Sequence, residues 1–242
     1  MTDFHVALER AALERESGGI GTLGEKTLHA ALKFFVEPNA EYHEKKIGDY
    51  YADIERDGHV IEIQTRSFDR LRKKLAFFLD TGYKVTVVYP VPAVKWISWI
   101  DREQGEIGEK RRSPKKGTVY DIVSELYKIR PLISNDRLDF HVIMLEVVDY
   151  RNLDGYGKSK KIRSTRFERM PLTLLGEVDL GMTDRFSALV PTELPESFTS
   201  ADFAAAVSIS RSIAQKTLLL LTDVGVVTRL GKEGRSYIYK MS

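Results

Sequence analysis

The sequence predicts an α/β protein in which a sheet is flanked by helices, followed by a small helical module near its C-terminal end. Residues 22–89 carry helix and strand patterns in the order helix, three strands, helix, strand. The stretch KVTVVY at 84–89 is short, β-branched and almost wholly apolar, which is typical of a buried strand. Beyond a proline-containing linker at 191–197, two short helix patterns precede a hairpin pattern.

The composition excludes several function classes. The 242 residues allow one large or two modest domains, and 43% hydrophobic with 30% charged residues is ordinary for a globular protein. Because the chain has no cysteine, it has no disulfide framework, thiolate zinc site, iron–sulfur cluster or cysteine nucleophile. Since it also lacks a signal-peptide core and an apolar run long enough to span a bilayer, we expect a cytoplasmic protein without a membrane partner.

Positive charge is concentrated locally, because the net charge is only +2. The segment 102–117 has six basic and three acidic residues, 151–170 has seven and two, and 197–242 has six and three. Such patches favour a polyanionic partner. The alternative for 102–117 is a solvated loop.

The N-terminal elements follow from local signals. Residues 3–17 are rich in Ala, Leu and Glu and predict a helix, which the glycines after it end. Thr22 and Glu25 form a capping-box pattern that opens a second helix reaching Val36. Strand patterns occupy 41–56 and continue beyond a turn.

That turn sets a strand register. Asp57-Gly58 is a two-residue hairpin signal, so positions whose numbers sum to 115 should face each other. Asp53 then lies opposite Glu62, on the face that also carries Gln64. Two opposed carboxylates repel each other, and a cation between them would compensate; oxygen ligands favour Mg²⁺, Mn²⁺ or Ca²⁺ over zinc. The alternative is that both carboxylates point into water, paired with basic residues of the next helix.

Later elements alternate between helix and strand. Ser67 is expected to cap a helix over 68–80 that buries Phe68, Leu71, Leu75, Phe78 and Leu79. Further predictions are strands at 84–89, 94–101 and 139–148, a helix at 118–130, and a loop or irregular hairpin at 151–170.

Asp53 followed across a hairpin by Glu62-Ile63-Gln64 resembles the catalytic motif of the PD-(D/E)XK nuclease superfamily. That superfamily's core order matches residues 22–89, so the resemblance implies a restriction-endonuclease-like mixed sheet flanked by helices. It also implies that Asp53, Glu62 and the Ile63 carbonyl bind Mg²⁺ (or Mn²⁺) for DNA hydrolysis.

Gln64 and Glu25 qualify this resemblance. Gln64 stands where the family has a lysine, and Lys73 and Lys74 on the following helix are the candidates to replace it, with Lys73 taken as the catalytic lysine. The alternative for each lysine is a solvated helix face. Glu25 lies where many members carry a further acidic residue, but it is equally the capping-box carboxylate.

Residues 197–242 resemble a winged helix-turn-helix domain, with a leucine-rich second helix and a Gly/Lys/Arg wing tip. Its core is expected to contain Ala205, Ile209, Ile213, Leu218, Leu219 and Leu221. The expected DNA-binding residues are Arg211, Ser212, Gln215 and Lys216 on the helix and Lys232 and Arg235 on the wing. A docking or dimerisation element is the alternative.

These predictions define two domains: a nuclease-like domain at 1–190, with its core at 22–89 extended by 91–190, and a winged-helix domain at 197–242. The expected function is metal-dependent cleavage of DNA phosphodiester bonds. One alternative is a catalytically weak nuclease-fold protein that binds or regulates DNA, and another is a protein-interaction module. A homodimer is left open.

Overall fold

A computed structural model describes residues 2–17, 27–65, 67–101, 106–152, 164–181 and 186–242. The predicted capping box, with Thr22 and Glu25, lies outside these residues. Among the residues described, no helix is both long and apolar enough to cross a membrane.

The protein is mixed α/β, as the sequence predicts. Its large sheet has the strand order β1-β2-β3-β4-β7-β8, with the short β5 and β6 pairing with β4. Because β1 and β2 are antiparallel while β3 and β4 are parallel, the sheet is mixed. Its strands are β1 His43–Ile47, β2 Tyr50–Arg56, β3 His59–Ile63, β4 Lys84–Asp101, β5 Glu106–Ile107, β6 Arg111–Arg112, β7 Leu138–Asn152 and β8 Thr165–Leu180.

Six α-helices lie in the described part of the chain: α1 Phe4–Ser17, α2 Thr27–Val36, α3 Arg72–Asp80, α4 Val123–Leu126, α5 Ser200–Ala206 and α6 Arg211–Asp223. Short 3₁₀ segments precede α3 and lie on both sides of α4. The elements from α2 to β4 occur in the predicted order of helix, three strands, helix and strand. That order, with the two-residue turn between β2 and β3, is confirmed.

The chain divides into two compact units. The first contains residues 1–55, 90–118 and 143–176, and the second contains 56–89, 119–142 and 177–242. In the first, α1 packs on α2, where the Phe4 and Phe35 rings meet edge to face at 5.3 Å between centroids. Ala7 and Ala11 are fully buried on α1, and such small side chains let two helices approach closely.

The second unit has a core of aromatic and aliphatic side chains, which includes the buried residues of α3. All five apolar residues expected on this helix are buried, which confirms the predicted stripe. Phe68 stacks on Phe140 and meets the Tyr89 ring edge to face, with centroid distances of 6.1 and 5.3 Å. Because β3 and β4 pair in parallel, α3 is the crossover between them.

Two strands, β4 and β7, are longer than the sequence predicts, and no regular strand was predicted where β8 lies. β4 continues through Pro90 and Pro92 to Asp101, where two separate strands were expected, and β8 passes through Pro171. Proline costs a strand one N–H donor, but its fixed φ suits extended backbone. The predicted break between the strands at 84–89 and 94–101 was therefore wrong.

The C-terminal segment forms a second, three-stranded sheet in the order β10-β11-β9, with two helices. Its strands are β9 Phe198–Thr199, β10 Val227–Glu233 and β11 Ser236–Met241. Side chains of Thr199 and Ser210 cap α5 and α6. The core contains Phe203, Ala214, Leu218 and Leu221, whereas the expected core residue Ala205 is exposed.

This segment packs against residues 119–134 of its own unit. Arg130 forms a bidentate ion pair with Asp223, and the Tyr120 and Phe203 ring centroids are 6.1 Å apart. Burial raises the pKa of Tyr120 to about 12, and its hydroxyl donates a hydrogen bond to the Leu189 carbonyl. Deleting 197–242 would therefore uncover an apolar face.

Candidate functional site

Asp53 lies on β2 in the first unit, beside a histidine of α2. His29 Nε2 is 3.3 Å from Asp53 Oδ2, and the Asp53 side chain is 16% exposed. One helical turn further along α2, the buried Lys33 pairs with Glu44 at 2.7 Å. The i, i+4 spacing places both basic residues on one face of α2, towards β1 and β2.

Glu62 lies on β3 in the second unit and is one of the most deeply buried carboxylates in the described part of the chain, with 2% of the residue exposed. Its Oε2 atom accepts a hydrogen bond from Lys74 Nζ of α3 at 2.6 Å. The same Nζ lies 5.8 Å from the centre of the Phe78 ring. A carboxylate buried this deeply needs such a partner, because burial of an unpaired charge is costly.

The helix lysine at Glu62 is Lys74, and Lys73 is exposed. The sequence contains the signal that separates them. Lys74 follows Leu71 by three residues and precedes Phe78 by four, so it falls within the buried stripe of α3. Lys73 lies outside that stripe.

Gln64 follows β3 and holds the loop that leads to α3. Its side-chain amide donates to the Ser67 carbonyl at 3.2 Å, and its backbone N–H donates to the Val88 carbonyl at 2.9 Å. Ser67 does not cap the helix as expected, because its hydroxyl accepts a hydrogen bond from Lys128. The Ile63 side chain is buried in the core.

The structure brings Glu62, Ile63, Gln64 and Lys74 together within one unit, and places Asp53 with His29 in the other. β2 ends at Arg56 and β3 begins at His59, while Asp57 and Gly58 have φ values of +52° and +79°. Two positive φ values are those of a type I′ turn. The pairing of Asp53 opposite Glu62 stays a prediction from this turn. His29 was missed, because nothing in its spacing marks it.

The expected DNA-binding residues of α6 differ in exposure. Arg211, Ser212 and Gln215 are exposed, but Lys216 is half-buried with its Nζ 5.6 Å from the centre of the Tyr127 ring. Arg211 Nη2 donates a hydrogen bond to Ser236 Oγ at 3.1 Å. This bond ties the start of α6 to the β10–β11 hairpin.

The hairpin carries exposed cations around one aromatic ring. Arg229 and Lys232 lie over the Tyr237 ring, at 4.1 and 4.6 Å from its centre. Lys232 and Arg235 are both exposed, as the sequence predicts for a wing. A ring that orders two cations in this way fixes their positions on the surface.

His59, at the start of β3, gives a testable pH dependence. Burial lowers its pKa, the charge of Lys84 lowers it further, and Asp139 acts in the opposite direction. Unfolded chains then bind a proton at about pH 6.5 that the folded protein takes up only at lower pH.

We expect the free energy of unfolding to fall as the pH drops through 6.5, and to fall less in His59→Gln. Urea unfolding at pH 7.5 and 5.5 measures this, with the exposed His5→Gln as control; equal losses in both variants would contradict it.

Together these elements define a mixed α/β protein with a large mixed sheet flanked by helices and a small second sheet. The chain belongs to the family described as Domain of unknown function (DUF8091), which matches residues 26–181. It is also similar to an uncharacterized protein of Treponema pallidum (strain Nichols), with 28% identity over 224 residues that cover 91% of this chain and 87% of the relative. No solved structure matches the chain.

Proposed function

We propose that this protein is a metal-dependent nuclease that hydrolyses phosphodiester bonds in DNA. The observation that carries the proposal is the buried Glu62 on β3, with Lys74 of the following helix at 2.6 Å and Gln64 two positions further on. The resemblance to the PD-(D/E)XK nuclease superfamily predicts a carboxylate at this strand position and a lysine beside it. Where the motif lysine is replaced by Gln64, the following helix supplies that lysine.

The residues fit a hard divalent cation. Glu62 would supply a carboxylate oxygen and Ile63 a carbonyl oxygen, the donor types that Mg²⁺ and Mn²⁺ prefer. Asp53 is the proposed second carboxylate on the strength of the predicted register alone, and Mg²⁺ sites commonly use one or two carboxylates. In the described residues no three His, Asp or Glu side chains form a ready metal cluster. A bound cation of this kind lowers the pKa of an attacking water and neutralises charge on the phosphate.

The chain's own residues have separate roles in this proposal. Lys74 places a positive charge at the edge of the Glu62 carboxylate, where the surrounding protein excludes water and increases its effect. Gln64 holds the β3–α3 loop through Ser67, which positions Lys74 on α3 relative to β3. Asp53 is oriented by His29.

Nicking of supercoiled plasmid tests the proposal. We expect purified full-length protein to convert supercoiled to open-circular DNA with Mg²⁺ or Mn²⁺, and not with EDTA. Protein that binds the plasmid but leaves it supercoiled in both metals would contradict the nuclease assignment.

A second candidate is a DNA-binding protein with a nuclease-like fold that does not cleave. The observation favouring it is that each carboxylate already has a basic partner, Lys74 for Glu62 and His29 for Asp53. Such pairs can be purely structural. Calorimetric titration with Mn²⁺ separates the two candidates, because a nuclease site must take up the ion and a structural pair need not.

The hairpin of the second sheet is proposed to bind the phosphate backbone, as the wing of a winged helix-turn-helix. Each phosphate contact contributes roughly 0.9 to the slope of log affinity against log salt. We expect Lys232→Ala/Arg235→Ala to weaken duplex binding at low salt and to lower that slope by somewhat under 2. Fluorescence anisotropy across a salt series measures it, and an unchanged slope would instead assign the hairpin to docking. These point variants are preferable to truncation, which would uncover Tyr120.

A further inference from the structure

Two basic segments of the sequence meet in the first unit, on strands that carry none of the proposed catalytic residues. Arg111 pairs with Ile97 across β4 and β6, and Lys95 lies two positions from Ile97 on the same face of β4. Ser113 N–H donates to the Lys95 carbonyl at 2.8 Å, which brings the described part of the 102–117 segment alongside β4. The 151–170 segment contributes Arg151 from β7 and Arg169 from β8.

Arg169, Arg166 and Lys95 act on one buried carboxylate, Asp149 of β7, which is 1% exposed. Arg169 binds it through two nitrogens, with Nε at 2.6 Å from Oδ1 and Nη2 at 2.9 Å from Oδ2. Burial raises the pKa of Asp149, but Arg169, followed by Arg166 and Lys95, outweighs burial and holds the pKa below its usual value. Asp149 therefore stays charged and is largely occupied by Arg169.

We call Lys95, Arg111, Lys115, Arg151 and Arg169, with Asp149, the Asp149 cluster. It contains five cations and one carboxylate, so positive charge is in excess. Burial lowers the pKa of Lys95; Asp149 opposes this, while Arg169, Arg151 and Lys115 lower it further. A lysine crowded by like charges gains free energy when an anion approaches.

Arg151 adds a second observation that points to an anionic ligand. Its Nη1 donates to Ser164 Oγ at 3.2 Å, whereas its Nε is buried and has no hydrogen-bond partner among the residues described. Buried guanidinium donors normally have an acceptor. At the exposed side of the cluster, Arg111 and Lys115 are open to solvent.

We propose that the Asp149 cluster binds the phosphodiester backbone of duplex DNA, as a contact surface separate from the β10–β11 hairpin. The inference rests on the proposed function only in taking DNA as the polyanion. Phosphate oxygens match the charge and the planar donors of Arg151 and Arg111. A polyanion fits better than a single small anion, because the cations extend from half-buried Lys95 to exposed Arg111 and Lys115.

The test removes two exposed cations of the cluster and compares a matched pair. Arg111→Gln/Lys115→Gln and Lys45→Gln/Lys46→Gln each remove two positive charges from exposed positions of the same unit, the second pair on β1. Binding of full-length protein to a fluorescent duplex is measured across a salt series in EDTA. We expect the first variant to lower the salt slope by somewhat under 2 and to weaken binding at low salt, while the β1 variant behaves as wild type.

The outcomes separate this inference from the nuclease assignment. The inference is overturned if wild type and Arg111→Gln/Lys115→Gln have equal salt slopes, or if both double variants lose the same amount of duplex affinity. Either result overturns it even if the protein cleaves plasmid. A selective loss in a protein that never cleaves supports the inference and overturns the nuclease assignment.

Competition identifies the source of the anion. If inorganic phosphate displaces duplex DNA only at concentrations at which chloride displaces it equally well, the result supports a surface that binds the DNA backbone. Tight binding of inorganic phosphate that leaves duplex binding unchanged would assign the cluster to a small anion. Cluster-dependent binding to phosphatidylserine vesicles but not to duplex would assign it to a membrane surface, and either result overturns the proposal.

Discussion

Glu62→Gln is expected to abolish metal-dependent DNA cleavage, with a loss of about 100-fold or more. The substitution keeps the shape of the side chain but removes the charge that the proposed cation requires. Plasmid nicking in Mg²⁺ and in Mn²⁺ measures the loss, and calorimetry with Mn²⁺ should show weaker uptake. Glu62→Asp, which retains the carboxylate, should keep part of the activity.

The structure changes what this substitution should do to stability. The sequence register places Asp53 opposite Glu62, and relief of their repulsion would make Glu62→Gln more stable without metal. Lys74 reverses that expectation, because the glutamine leaves a half-buried ammonium without its carboxylate. We therefore expect the free energy of unfolding to fall, and activity must be compared at temperatures where circular dichroism shows both proteins folded. Full cleavage by folded Glu62→Gln would exclude Glu62 from the site.

Lys74→Met is expected to destabilise the protein by about 3 kcal/mol, because it leaves the Glu62 carboxylate buried without its cation. The matched control is Lys73→Met, one residue earlier on α3 and exposed, which should change stability by less than about 0.5 kcal/mol. Urea unfolding of the two variants at pH 7 measures the difference.

The same pair of variants tests the catalytic role of the helix lysine. Lys74→Met should lose cleavage and Lys73→Met should keep it, whereas the sequence predicted Lys73 as the catalytic lysine. Loss of cleavage in Lys73→Met at unchanged stability would restore Lys73 as the catalytic lysine. Equal stabilities of the two variants would show that the Lys74–Glu62 pair contributes little to the fold.

Local signals in the sequence determined much of the secondary structure. Asp57-Gly58 predicted the turn between β2 and β3, since positive φ values at two successive residues favour Asn, Asp and Gly. The apolar spacing of residues 68–79 predicted the buried stripe of α3, and the small polar residues Thr199 and Ser210 lie where α5 and α6 are capped. Each signal works because the interacting groups are neighbours along the chain.

Only the tertiary structure decided which charges meet. His29 reaches Asp53 across 24 positions, Lys74 reaches Glu62 across 12, and Arg169 reaches Asp149 across 20. The pairs depend on how a helix or a long strand packs on its neighbours, and β4 extends further than its prolines suggested. The sequence shows how many cations a segment carries. Packing selects the partner of each cation, because burial makes one specific pairing far more favourable than the others.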